Sequence, residues 1–128
     1  MTAVTETEIV ELIDTFYAKV RGDAVLAPVF ERAIAADAWP AHLAQMYDFW
    51  SSVMLASGRY KGNPLAVHLG IEGLDEGMFV RWLALFRATA EELFPAELAA
   101  RFGQKSERIA ESLRLGLLFR PATVPAKT

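Results

Sequence analysis

A chain of 128 residues that is 53% hydrophobic is long and apolar enough to fold around one packed core. Its net charge of −3 is spread as mixed acids and bases with no basic block, which argues against a nucleic-acid partner. The absence of cysteine excludes disulfides, thiolate metal sites and a cysteine nucleophile.

The acidic start from Met1 to Glu8 lacks the positive region of a secretory signal, and no apolar run approaches the ~20 residues that span a bilayer. No membrane association is expected, and the cytoplasm is the expected location. Thr5 followed by Glu8 is a capping-box pattern. Ile9, Leu12, Ile13, Phe16, Tyr17 and Val20 then recur at helical spacing, which predicts a helix from about Glu6 to Arg21 that stops at Gly22. Tyr17 has two readings: a core aromatic with its hydroxyl at the rim, or an inward-pointing phenol donor that needs a partner. Asp23 is expected to cap a second, brief helix carrying Val25, Leu26, Val29 and Phe30, with Pro28 in its first turns. Glu31 to Asp37 reads as a corner, with Asp37 as the next cap.

A third helix is predicted from about Ala38 to Ala56, with Pro40 tolerated in its first turn. Trp39, His42, Leu43, Met46, Phe49, Trp50 and Val53 form one wide apolar stripe along it. Taken alone, His42 reads as a boundary histidine with one nitrogen in water. The stretch Gly62-Asn63-Pro64-Leu65-Ala66-Val67-His68-Leu69-Gly70 reads as one short helix, capped by Asn63, started by Pro64 and ended by Gly70. A helix so short is marginal alone and needs packing or a ligand to hold it. His68, the one polar side chain among its apolar residues, is either a hydrogen-bonded core histidine or an axial ligand to a cofactor metal.

The fourth long helix is predicted from Asp75 or Glu76 to Phe94, with Phe79, Trp82, Leu83, Phe86, Ala90 and Leu93 inward. The Trp82 indole N–H is an obligate donor and has to be placed. After Pro95 a last helix is predicted from about Glu97 to Phe119, followed by a loose tail over 120–128. No segment alternates with period two. One all-α domain of five or six helices over 1–128, with its core at about 6–119, is the expected architecture.

The inventory restricts the chemistry. Two histidines on different helices cannot build a structural zinc site. A two-histidine, one-carboxylate iron site with Asp48 or Glu72 is disfavoured, because Asp48 lies across its helix from His42. No phosphate-binding loop and no nucleophile on a strand–helix turn is present. A helical shell rich in Phe, Trp and Met, holding two imidazoles, a phenol and an indole, suits a flat apolar cofactor whose metal takes one neutral imidazole. Haem between helices meets that description.

The strings Phe16-Tyr17, Trp39 with His42-Leu43 and Met46, Asp48-Phe49-Trp50, Tyr60-Lys61-Gly62-Asn63-Pro64, His68 and Trp82-Leu83-Ala84-Leu85-Phe86 resemble the group III (P-type) truncated haemoglobins over roughly residues 9–117. The resemblance implies a two-over-two helical sandwich around non-covalent haem b. It implies His68 as proximal iron ligand, with its second ring nitrogen bonded to a carbonyl near Leu65, and Tyr17, His42 and Trp82 as the distal set. Phe30 takes the place of the aromatic that wedges the haem at the corner. Met46, Phe49, Trp50 and Phe79 are expected around the haem, and Arg59, Tyr60 and Lys61 near its propionates, where a solvated loop is the competing reading.

The function so implied is binding of O2, NO, CO or peroxide, with nitric oxide dioxygenase-like or peroxidase-like turnover fed by an external reductase. The alternatives are a ligand carrier or haem-based sensor acting through a partner, or a helical interaction module without cofactor. A monomer or weak dimer is expected.

Overall fold

The structure is a computed structural model that describes residues 4–62 and 76–118. Among the described residues five α-helices follow in order: α1 Glu6–Arg21, α2 Leu26–Ala33, α3 Trp39–Leu55, α4 Glu76–Leu93 and α5 Ala96–Leu118. A 3-10 turn at Ala36–Ala38 precedes α3. The short helix predicted around His68 and the tail over 120–128 lie outside the described residues. Among the described residues there is no strand, and no helix is long and apolar enough to cross a membrane.

Local chemistry accounts for most helix ends. Glu8 donates its backbone N–H to the Thr5 hydroxyl at 3.1 Å, and Thr5 returns its own N–H to the Glu8 carboxylate at 2.9 Å. This reciprocal box starts α1 where predicted. Asp23 Oδ2 accepts the backbone N–H groups of Val25 and Leu26 at 3.0 and 2.9 Å and so opens α2. The predicted corner over Glu31 to Asp37 is partly helical, since α2 continues to Ala33. Asp37 is not a cap: it sits inside the 3-10 turn, and α3 begins after Ala38 with no side-chain cap. Pro40 in the first turn serves instead, because its missing N–H costs nothing there. At the other end, Ala56 takes a left-handed conformation (φ 57°), and its N–H bonds to the Ser52 carbonyl.

α1 is the hub. Its residues Ile9, Leu12, Ile13, Phe16 and Val20 are fully buried, and it packs against α2, α3 and α4, while α4 packs along α5. Phe16 meets Tyr17, Trp82 and Phe86 edge-on at 4.9, 5.4 and 5.1 Å. Phe86 in turn stacks on Trp82 and Trp50 at 5.4 and 4.9 Å. Offset and edge-on rings add specific geometry to the burial energy, so this column fixes how α1, α3 and α4 cross.

One charged joint reinforces the crossing. The Oδ2 atom of Asp23 that opens α2 also accepts from Arg81 Nε of α4 at 2.8 Å. The Arg81 guanidinium, with the two backbone N–H groups, holds the Asp23 carboxyl down at about 2. Replacing Asp23 by Ala removes a helix start and a partly buried charge partner together, and should cost about 1–3 kcal/mol in urea unfolding at pH 7. A depressed carboxyl stabilises the fold above its unfolded value of roughly 3.9 and loses that contribution as pH falls through about 2. The gap between wild type and Asp23→Ala should therefore be constant from pH 7 to roughly 4 and shrink below it.

Candidate functional site

α1, α3 and α4 bring three of the predicted polar residues together. Tyr17 points from α1 into the interior and is 6% exposed. His42, on the first turns of α3, meets the Tyr17 ring edge-on at 5.1 Å. Trp82, on α4, donates its indole N–H to the Tyr17 hydroxyl. An indole nitrogen only donates, so the direction is fixed: Tyr17 accepts from Trp82 and keeps its own proton for another acceptor.

Burial pushes the Tyr17 phenol far above its ordinary range, and the Trp82 bond opposes that only in part. The phenol is therefore a neutral donor at any physiological pH. His42 is only partly buried as a residue, yet its Nε2 atom is sealed from solvent. Phe30 of α2 closes one side, 6.1 Å from Tyr17. Trp39, three residues before His42 on the same face of α3, closes another at 6.0 Å from Tyr17 and 5.3 Å from His42.

The remaining predicted residues distribute differently. Met46 and Phe49 are partly buried against the main core. Phe49 meets Tyr60 edge-on at 5.1 Å, near the end of the described stretch that leads toward His68. Tyr60 folds over Gly62, where any side chain would collide with its phenol end. Trp50 stacks in the interior column on Phe86 and lies 6.0 Å from Phe102. Phe79 belongs to a second apolar cluster with Ala110 and Leu113 between α4 and α5, joined to the main core through Trp82. His68 and Leu65 are outside the described residues.

Lys61 is exposed. Arg59 is committed elsewhere: its guanidinium forks onto Glu6 at 2.9 and 3.1 Å and reaches Asp48 through Nε at 3.0 Å. Buried Ser51 joins the same cluster, its hydroxyl 2.7 Å from Glu6 Oε2 and 2.8 Å from the Ser57 hydroxyl. The Arg59 fork and the Ser51 bond hold the Glu6 carboxyl below its ordinary value. This cluster ties the stretch after α3 back onto the start of α1. Among the described residues no group of three or more potential ligands could hold a bare metal ion.

A phenol, an imidazole and an indole thus meet between the apolar faces of α1, α3 and α4. No protein-family model matches the chain. The group 3 truncated haemoglobin Ctb of Campylobacter jejuni is 32% identical over 109 residues, covering 84% of this chain and 86% of the relative. The crystal structure of a group III truncated haemoglobin from the same species superposes with a TM-score of 0.85 at 30% identity, over 91% of this chain and 94% of the other. The two-over-two architecture is thus that of a haem-binding globin, a class that binds small gas ligands. Within that class, the chain belongs to the group III truncated haemoglobins.

Two features of the site have little sequence signal. Trp39 reads as one more member of an apolar stripe. The Asp23–Arg81 joint links residues remote in sequence, at no recognisable spacing.

The tyrosines give a direct test of the pocket's dryness. All three phenols of the chain are raised above their ordinary value: Tyr17 by burial, Tyr47 to about 12 by burial and its bond to the Asp14 carboxylate, and Tyr60 by burial. An ultraviolet titration of the folded protein should therefore place the phenolate transitions above pH ~10, where free tyrosine ionises. A group raised in the folded state contributes fully below the unfolded value, and its contribution is lost as pH rises past ~10. Phenolate should thus appear together with loss of helical circular dichroism. A separate, earlier step of one phenol would mean that one of the three is open to water.

Proposed function

We propose that this chain is a haem b protein that binds O2 and other diatomic ligands, with His68 as proximal ligand and Tyr17, Trp82 and His42 as the distal set. Its use, on this reading, is oxygen-dependent or nitric oxide/peroxide redox chemistry, with electrons from an external reductase. It acts as one domain over 1–128, a monomer or weak dimer of the cytoplasm. The observation that carries the reading is the buried Tyr17 phenol meeting His42 edge-on at 5.1 Å, with the Trp82 indole as its side-chain partner. Support for the haem pocket comes from the apolar faces of α1, α3 and α4 around that trio and from the family to which the chain belongs.

The haem, when bound, supplies an iron that takes a small ligand and exchanges electrons with it. The residues supply the rest. Tyr17 presents its O–H toward negative charge that develops on a ligand in the pocket. Because Trp82 donates into the Tyr17 oxygen, it polarises that O–H and makes it a stronger donor. In a water-excluded site such fixed donors stabilise charge far more than they would in water, and they need no reorganisation. Trp82 thus acts on the ligand through Tyr17. On this reading His42, with Nε2 sealed and the residue partly exposed, would control passage between solvent and Tyr17. On this reading a haem propionate would be met by exposed Lys61, whereas Arg59 is occupied by Glu6 and Asp48.

Two experiments test this. His68→Gly should abolish stable haem binding, judged by loss of the Soret band on purification, while His42→Leu should keep it. The reverse pattern would exchange the two assignments. Tyr17→Phe should raise the O2 dissociation rate by about one to two decades, the loss of one donor worth roughly 1.5–3 kcal/mol. Trp82→Phe should raise it less, and adding Trp82→Phe to Tyr17→Phe should change little more, because the indole works through the phenol. Stopped-flow rates for the two substitutions that simply multiply would refute the relay.

A further inference from the structure

Trp39 carries a buried polar atom that the pocket described above leaves unexplained. It is 2% exposed, and its Nε1 has no hydrogen-bond partner among the described residues. A buried indole N–H left unmade bears its full desolvation cost, and a native core that merely needed bulk could use Phe there. The ring lies within aromatic contact of both Tyr17 and His42, at 6.0 and 5.3 Å. Trp82 is already engaged by Tyr17, so Trp39 holds the uncommitted indole proton beside the distal trio.

A second observation sharpens this donor. The Arg21 guanidinium lies over the Trp39 ring, its Cζ 4.5 Å from the centroid. Arg21 comes one helical turn after Tyr17 on α1, is exposed, and has Glu31 at 3.7 Å as its ion-pair partner. A cation on the face of an indole draws electron density from the ring. The N–H is then a stronger donor.

We infer that Trp39 is a ligand-contacting, specificity-determining residue whose N–H serves the outer polar atom of a small polyatomic anion of the azide or nitrite type, and that Arg21 strengthens this contact. The inference rests on the haem reading above. Carbon monoxide, with little charge on its outer atom, gains little from such a donor. Trp39 therefore discriminates between ligand classes.

The test uses the haem-loaded full chain. Azide is titrated into the ferric protein, CO into the ferrous protein, and the antisymmetric stretch of bound azide is recorded in the infrared. Trp39→Phe should weaken azide about tenfold, the expected loss of one donor, and shift the azide band, while CO affinity and haem content change less than about twofold. Arg21→Met leaves Trp39 in place and should weaken azide in the same direction by a smaller factor, with Arg21→Lys restoring most of it. Because Arg21 is at the surface, this pair keeps the test available if Trp39→Phe fails to fold. Equal losses for azide and CO would make Trp39 a packing residue, and loss of haem would make it a cofactor holder; either result overturns the inference. So does unchanged azide binding in Arg21→Met. A wild-type chain that takes up no haem overturns both readings, whereas a haem-loaded one indifferent to these substitutions overturns this one alone.

Discussion

The bond from the Trp82 indole to the Tyr17 hydroxyl is the constraint around which the structure is arranged. A phenol buried to this extent cannot leave its oxygen unpaired without a large cost, and an indole cannot leave its proton unpaired either. Each residue solves the other's problem. The solution works only if α1 and α4 cross at one distance and angle, and the Phe16–Trp82–Phe86 contacts set that crossing. What is left over after this mutual satisfaction is one outward proton on Tyr17, held in a site that water does not reach.

Charge is used at the margins of this core to hold its parts in register. Asp23 collects two backbone donors and one guanidinium on a single oxygen, and so joins the start of α2 to α4 next to Trp82. Arg59 gathers Glu6 and Asp48 and ties the chain beyond α3 to the opening of α1. Isolated ion pairs at a protein surface contribute little energy. Here their value is geometric: each spans two or three elements, and each sits one residue from a group that matters, Trp82 in one case and Tyr60 in the other.

Much of this was legible in the residues. The Thr5–Glu8 box and Gly22 give the limits of α1, and the placement of Pro95 gives the break between α4 and α5, because caps and breakers act locally. The polar side chains of Tyr17, His42 and Trp82 stand out on apolar helix faces, but their grouping as one set comes from the family resemblance and not from spacing. Asp37 misleads as a cap, since a 3-10 turn with Pro40 behind it can start a helix without a side-chain acceptor. Phe79 and Trp50 look equivalent to Phe49 by spacing, yet they pack into different regions, because periodicity gives the inward face of a helix and not the neighbour it meets. Trp39 is silent for a related reason. An indole in an apolar stripe looks the same whether its N–H is satisfied or not, and only the surrounding atoms distinguish the two cases.

The Tyr17–Trp82 bond also has a consequence for how the molecule comes together. Its partners lie on the first and fourth helices, so the bond can close only after the whole intervening chain has been gathered. Contacts such as Trp39 on His42 lie within one turn of helix and form at almost no cost in chain entropy. Closing α1 onto α4 carries the larger loop-closure penalty, and contacts of that kind set the pace of folding in small proteins. The buried pair of Tyr17 and Trp82 is thus completed by a long-range step. A partly folded chain can be helical and collapsed while this pair is still open, so the pair reports on the finished fold rather than on any one piece of it.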